Sequence, residues 1–126
     1  MKYYSFLIFC LLTILLFSCE TASQSKLISN QKGDSEVVAG RMIFTENCGN
    51  CHGRDALGSS KGPPLIHKIY EPGHHADASF YRAVENGSKA HHWQFGDMPP
   101  IKHVSSEAVT KIISYIRHEQ RKAGIN

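Results

Sequence analysis

The stretch FTENCGNCHGRD, which runs from Phe44 to Asp55, contains two cysteines separated by two residues and followed directly by a histidine. These three residues are Cys48, Cys51 and His52. Cysteine pairs at this spacing occur in zinc sites, in thioredoxin-like redox sites and at covalently attached haem groups. The five-residue pattern alone does not distinguish these chemistries, so the rest of the chain has to decide between them.

The amino-terminal stretch has the features of an export signal. Lys2 provides a positive charge, and an almost unbroken apolar run follows from Phe6 to Phe17. This run has the length of a signal-peptide core and is shorter than the roughly 20 residues of a membrane-spanning helix. It ends in Leu-Phe-Ser before Cys19, which is similar to a bacterial lipobox. We therefore predict a signal peptide at 1–18 and a lipid on Cys19; an ordinary signal peptide and an uncut anchor helix are the alternatives.

Three further features describe the mature chain. The segment 19–34 is polar and without periodicity, which predicts a flexible tether, and 35–126 is predicted to be one domain. The formal net charge is +3 for the full chain and +2 from residue 19 onwards, where Lys2 is absent, and this gives no argument for nucleic acid binding. A domain of this size buries proportionally little surface, so a bound cofactor, a metal or a disulfide would help to stabilise it.

The pattern of apolar residues and caps predicts an all-α domain of three to five short helices joined by long loops. Asp34 or Ser35 is the expected cap of a first helix, and Asp77 that of a helix at 78–86. Ser105 or Ser106 begins a further helix with an apolar stripe. The stripe consists of Val109, Ile112, Ile113 and Ile116. Long loops at 53–72 and 88–104 are compatible with a compact fold if they wrap a large apolar ligand.

This organisation favours haem at the cysteine pair. A zinc site would need a fourth ligand, from His67, His74 or His75, and adjacent Cys51 and His52 project in different directions. A thioredoxin-like site, in turn, requires a βαβ context that a chain without strand patterns lacks. Covalently attached haem accounts for the two cysteines, the adjacent histidine and the export signal together. The two thiols would form thioethers with the haem, His52 would be the proximal iron ligand, and attachment of this kind takes place outside the cytoplasm.

From about Ser35 to Gly124 the chain resembles a class I c-type cytochrome with one haem. The matching residues are Gly40, Phe44, Cys48-Gly49-Asn50-Cys51-His52, Gly62-Pro63-Pro64-Leu65, Met98-Pro99-Pro100 and Tyr115. The resemblance implies that the first and last helices cross at Gly40 and Tyr115. It also implies that the carbonyl of Pro63 accepts a hydrogen bond from the proximal histidine.

The same resemblance makes Met98 the distal iron ligand. A methionine that fills a gap in the core is the ordinary alternative, and His91 or His92 in its place would give a bis-histidine haem. Trp93 is expected to pack on the haem and to direct its indole N–H at a propionate. The other histidines are expected to lie on the surface. The alternative is that some of them form a second metal site, for example for copper. They are His67, His74, His75, His103 and His118.

The function implied is one-electron transfer by a lipid-anchored, monomeric haem c protein without catalytic turnover, facing the periplasm or the cell exterior. Its expected partners are redox proteins such as a quinol-oxidising complex, a terminal oxidase or a periplasmic reductase. Loop lysines could steer an acidic partner; these are Lys61, Lys68, Lys89 and Lys102. The alternatives are an electron-entry subunit of a larger oxidoreductase and, if Met98 is not a ligand, a haem-based ligand-binding protein.

Overall fold

The structure is a computed structural model that describes residues 24, 26 and 30–126. The predicted signal peptide, Cys19 and most of the predicted tether lie outside these residues. Ser35–Asn126 forms one compact unit. Among the described residues, none of the helices combines the length and the hydrophobicity needed to cross a membrane.

The described residues form four α-helices and one short 3-10 helix. Helix α1 covers residues 30–47. The others are α2 (Gly49–His52), the 3-10 helix (Lys68–Tyr70), α3 (Asp77–Asn86) and α4 (Ser106–Lys122). In this part of the chain no strand forms apart from an isolated antiparallel bridge between Ser88 and Met98. The prediction of a small all-α fold with long loops is confirmed.

Helix α1 begins earlier than the sequence predicted. Residues 24, 26 and 30–34 are helical and exposed, so neither Asp34 nor Ser35 caps the helix, and this part of the predicted tether is helical. A solvent-exposed helical segment needs no apolar periodicity, and Gln31 and Lys32 are good helix formers. The absence of a period at 30–34 therefore did not exclude a helix.

Helix α4 provides much of the core. The Ser105 side chain caps it by accepting a hydrogen bond from the backbone N–H of Ala108, as predicted. The predicted stripe of Val109, Ile112, Ile113 and Ile116 is buried. Ile112 and Ile116 join the central cluster, which also contains Phe44, Ala56 and Tyr115. The Phe44 and Tyr115 rings pack with centroids 5.6 Å apart.

Gly40 is the point at which α1 meets α4. A Cβ atom at this position would overlap the backbone carbonyl of Lys111 and would also press on Tyr115. The two helix backbones approach so closely that no side chain fits between them, which explains the glycine despite its low helix propensity. The helices thus meet at Gly40 and Tyr115, as the resemblance implied.

Helix α3 begins at Asp77, one residue before the predicted start, and Asp77 does not cap it. Its N-cap is Ala76, which makes no side-chain hydrogen bond to the helix. The Asp77 carboxylate instead accepts a hydrogen bond of 2.8 Å from Nε of Arg117 in α4. The helix ends at Gly87, as predicted, with a φ of 78° that favours glycine.

Candidate functional site

Helix α2 positions His52 against the loop that follows it. Nδ1 of His52 lies 2.9 Å from the carbonyl oxygen of Pro63. A carbonyl oxygen only accepts hydrogen bonds, so Nδ1 carries the proton and Nε2 keeps its lone pair. This is how metal-binding histidines are usually oriented. The hydrogen bond that the resemblance assigned to Pro63 is therefore present.

Burial affects the ionisation of both His52 and Cys48. It lowers the pKa of the His52 imidazole below its usual value, while the hydrogen bond to Pro63 opposes part of this shift. Burial, together with the nearby Cys51, raises the pKa of the Cys48 thiol to about 11. Neither Cys48 nor Cys51 is in a disulfide, and Cys51 is exposed. Near pH 7 the site therefore offers a neutral imidazole and a protonated Cys48 thiol.

His52 and Cys48 line a cavity of about 740 Å³. This volume lies in the range of about 300–1,000 Å³ that is typical of cofactor and ligand sites. Apolar side chains contribute much of its wall, among them Phe44, Leu65, Phe80 and Ile112. Cys51 and Ile101 do not line the cavity. Ile101 instead lies beside α3, where its backbone N–H donates a hydrogen bond to the carbonyl oxygen of Val84.

Met98 lines the same cavity and is held there by its backbone. It exchanges two hydrogen bonds with Ser88, directly after the turn at Gly87. A Cβ atom at Gly87 would come within 2.5 Å of the carbonyl oxygen of Met98. The end of α3 and the Met98 segment are therefore in close backbone contact, and Pro99 and Pro100 restrict the chain that follows.

His91 and His92, the alternative axial ligands, also line the cavity, and their rings contact other histidines. Nε2 of His91 lies 3.5 Å from Nε2 of His75, and its Nδ1 bonds to the backbone of Lys89. The His92 ring is 5.1 Å from the rings of both His74 and His75. Partial desolvation and the neighbouring imidazoles lower the pKa of His92. In the described part of the chain, these two rings contact other histidines and make no ring contact with His52.

Trp93 also lines the cavity, and its indole N–H lacks an acceptor. Among the described residues, Nε1 of Trp93 is buried without a hydrogen-bond partner. Burial raises the pKa of the nearby Tyr70 hydroxyl, and the Trp93 indole opposes part of this shift. The indole N–H and Tyr70 nevertheless do not form a hydrogen bond of acceptable geometry. An unsatisfied buried N–H costs about 1–3 kcal/mol. A haem propionate would provide the acceptor, so the cavity fits haem in this respect.

A family model described as Cytochrome c matches residues 37–120, about two thirds of the chain. The chain belongs to the cytochrome c family. No curated protein and no solved structure gives a match. As a cytochrome c, the protein is a haem electron-transfer protein whose cofactor is covalently attached haem c with its iron.

Of the residues predicted to hold the haem of this cytochrome, Cys48 and His52 line the cavity, and His52 presents an unprotonated Nε2. Cys51 is a free thiol but is exposed and does not line the cavity. Met98 and Trp93 reach the same cavity as Cys48 and His52. The role of each side chain toward the haem stays a prediction.

Arg117 and Gln120 support the site, and sequence analysis did not find them. Arg117 is buried and donates to Asp77 and to the carbonyls of Tyr70 and His75. Gln120 is also buried and donates to the carbonyls of Leu65 and Tyr70. The two side chains attach the loop on one side of the cavity to α4. The only sequence signal was a polar pair beside an apolar stripe, which ordinarily indicates a solvent-exposed helix face.

Proposed function

We propose that this cytochrome is a lipid-anchored one-electron carrier in a bacterial respiratory or periplasmic electron-transfer chain. The observation that carries the proposal is that His52 and Met98 line one cavity, with Nε2 of His52 unprotonated. Histidine and methionine as axial ligands give haem a raised reduction potential. If His52 and Met98 both held the iron, oxygen and peroxide would be kept from it, and the haem would supply one-electron exchange.

Apolar side chains on one wall of the cavity would limit the access of water and small ligands to the haem iron. Phe44 and Ile112 are buried and form part of the apolar wall, and Met98 is half-buried. The hydrogen bond from His52 to Pro63 fixes the orientation of the imidazole. A site that keeps its geometry through a change of oxidation state suits a carrier, because little reorganisation accompanies each electron.

The proposed partners are redox proteins at the same membrane surface, such as a quinol-oxidising complex, a terminal oxidase or a periplasmic reductase. Lys61, Lys68 and Lys102 are exposed and are available to an acidic partner. Lys89 is also exposed but already pairs with Asp97 at 2.6 Å. Association driven by such lysines would slow as the ionic strength rises.

Carbon monoxide tests whether the haem iron is closed to ligands. We expect the visible spectrum of the reduced haem protein to stay unchanged when carbon monoxide is added. In Met98→Ala, where the sixth position is open, the same treatment should produce a carbon monoxide complex. A rapid spectral change in the unaltered protein would contradict the carrier proposal and favour a ligand-binding function.

Membrane fractionation tests the lipid anchor. Cys19→Ser removes the predicted acylation site and should move the haem protein from the membrane fraction to the soluble fraction. Cys10→Ser is the matched control, because Cys10 lies in the predicted signal peptide and should leave anchoring intact. If Cys19→Ser remains bound to the membrane, the uncut apolar segment or a partner holds the protein, and the lipoprotein proposal is wrong.

A further inference from the structure

Four histidines from two separate segments meet in the wall of the haem cavity. His74 and His75 precede α3, whereas His91 and His92 lie in the loop that follows it; together they form the histidine cluster. The ligand nitrogens of His74, His75 and His92 lie within 4.8 Å of one another. His75 is half-buried and the other three are exposed, so solvent reaches the cluster.

His75 is fixed through both its side chain and its backbone. Its Nδ1 lies 2.7 Å from the carbonyl oxygen of Ile69, which only accepts hydrogen bonds, so Nδ1 carries the proton. The carbonyl group of His75 accepts a hydrogen bond from the buried side chain of Arg117. Nε2 of His75 therefore has a free lone pair and a defined position, the arrangement expected of a metal ligand.

His91 is oriented in the same way. Its Nδ1 donates to the carbonyl oxygen of Lys89 at 2.7 Å, which leaves Nε2 unprotonated in the neutral ring. This nitrogen lies 3.5 Å from Nε2 of His75. Two lone pairs face each other at that distance, and a direct hydrogen bond between the neutral rings is not available.

A metal ion resolves this conflict. Two nitrogen ligands with metal bonds of 2.0–2.1 Å at a tetrahedral angle are about 3.3 Å apart. The distance between His75 and His91 is close to that value. The ligand nitrogens of His74 and His92 lie within 4.8 Å of that of His75, so these two exposed side chains would have to move closer to reach the same separation.

We propose that the histidine cluster binds one divalent transition metal ion, separate from the haem iron. Imidazole ligands favour copper, zinc and nickel over magnesium, calcium and manganese, and affinity for the divalent ions is highest for Cu²⁺. The three exposed members can adjust to the ion, while His75 provides the fixed point. This property is additional to electron transfer and uses neither His52 nor Met98.

The test is a titration of the purified, haem-loaded protein with Cu²⁺, followed by calorimetry and electron paramagnetic resonance. We expect one equivalent to bind, with hyperfine coupling to at least three nitrogens. Zn²⁺ should compete for the same site, whereas Mg²⁺ should not bind. The visible spectrum of the haem should keep its axial-ligand features throughout the titration.

Single variants identify the ligands. His75→Ala and His92→Gln should each weaken Cu²⁺ binding at least about tenfold, since even outer-shell changes cost a metal site 10–100-fold. His103→Ala and His118→Ala are the matched controls, because these histidines contact Asn47 and Glu119 outside the cluster. An unchanged haem spectrum shows that each variant is folded. The proposal is wrong if the unaltered protein binds no copper, if the cluster variants bind it as tightly, or if the controls lose it.

Discussion

Met98 and Ser88 are joined by two backbone hydrogen bonds, one in each direction, of 2.9 and 3.0 Å. Because the backbone fixes the position of Met98, its side chain is free to point into the cavity. Substitutions of that side chain should therefore leave the course of the loop unchanged. This separates the role of the sulfur from the role of the loop.

Met98→Ala should remove the weak thioether–iron absorption band near the red end of the visible spectrum. The reduction potential should fall by on the order of 0.1 V, within the roughly 0.8 V that axial ligands span. Met42→Ala is the matched control, because Met42 is 69% exposed on α1. Spectroelectrochemistry of both variants measures the effect. An unchanged band in Met98→Ala would show that another group is the distal ligand.

Gly40→Ala should destabilise the protein by about 1–3 kcal/mol, the usual cost of forcing a methyl group into packed structure. The reason is the overlap between a Cβ atom and the carbonyl of Lys111. In Gly33→Ala the new methyl group meets nothing within 4 Å, so this control should be neutral or slightly more stable. Thermal unfolding followed by circular dichroism compares the two. Equal melting temperatures would contradict the close contact between α1 and α4.

Arg117→Met should cost about 2–4 kcal/mol of stability, because the carbonyls of Tyr70 and His75 lose a charged donor. Arg121→Met changes an exposed residue one turn later in α4 and should have little effect. Denaturant unfolding of the haem-loaded proteins measures the difference. A stable Arg117→Met protein would show that Arg117 is not needed to hold the loop at 70–75.

Trp93→Phe keeps an aromatic ring in the cavity wall and removes the unpaired N–H. If that N–H bonds to a haem propionate, its loss leaves the negative charge less compensated and favours ferric iron. We therefore expect a lower reduction potential and a propionate that titrates at a higher pH. Tyr81→Phe is the control, because it also removes one polar group from an aromatic ring, at a hydroxyl that bonds to Thr110 outside the cavity. An identical potential and pH profile for Trp93→Phe would contradict the propionate contact.

Local sequence patterns were sufficient to predict several elements. The capping of α4 by Ser105 and the end of α3 at Gly87 depend on neighbouring residues, and both are present. The contact between His52 and Pro63 came from the resemblance to a family, since no local rule connects positions that far apart. Patterns of neighbouring residues thus predicted the helix ends, whereas the resemblance to a family predicted the contact between His52 and Pro63.

Other features depend on contacts that local patterns do not encode. Arg117 bonds mainly to backbone carbonyls, and the sequence does not reveal which carbonyls lie near it. The same holds for the meeting of His75 with His91 across α3. The residues around Asp77 indicated a helix cap, because its actual partner, Arg117, is forty residues away in the sequence. In each case the fold brings together groups that are distant in the sequence, and the residues next to each group do not encode the contact.

The contact between Gly40 and Lys111 joins the two ends of the cytochrome domain. Helix α1 carries Phe44 and α4 carries Ile112, and both side chains line the cavity. The wall of the cavity is therefore complete only when α4 packs against Gly40. A chain that ended before α4 would keep Cys48, Cys51 and His52 but would lack part of this wall, so the haem motif alone does not make the haem site.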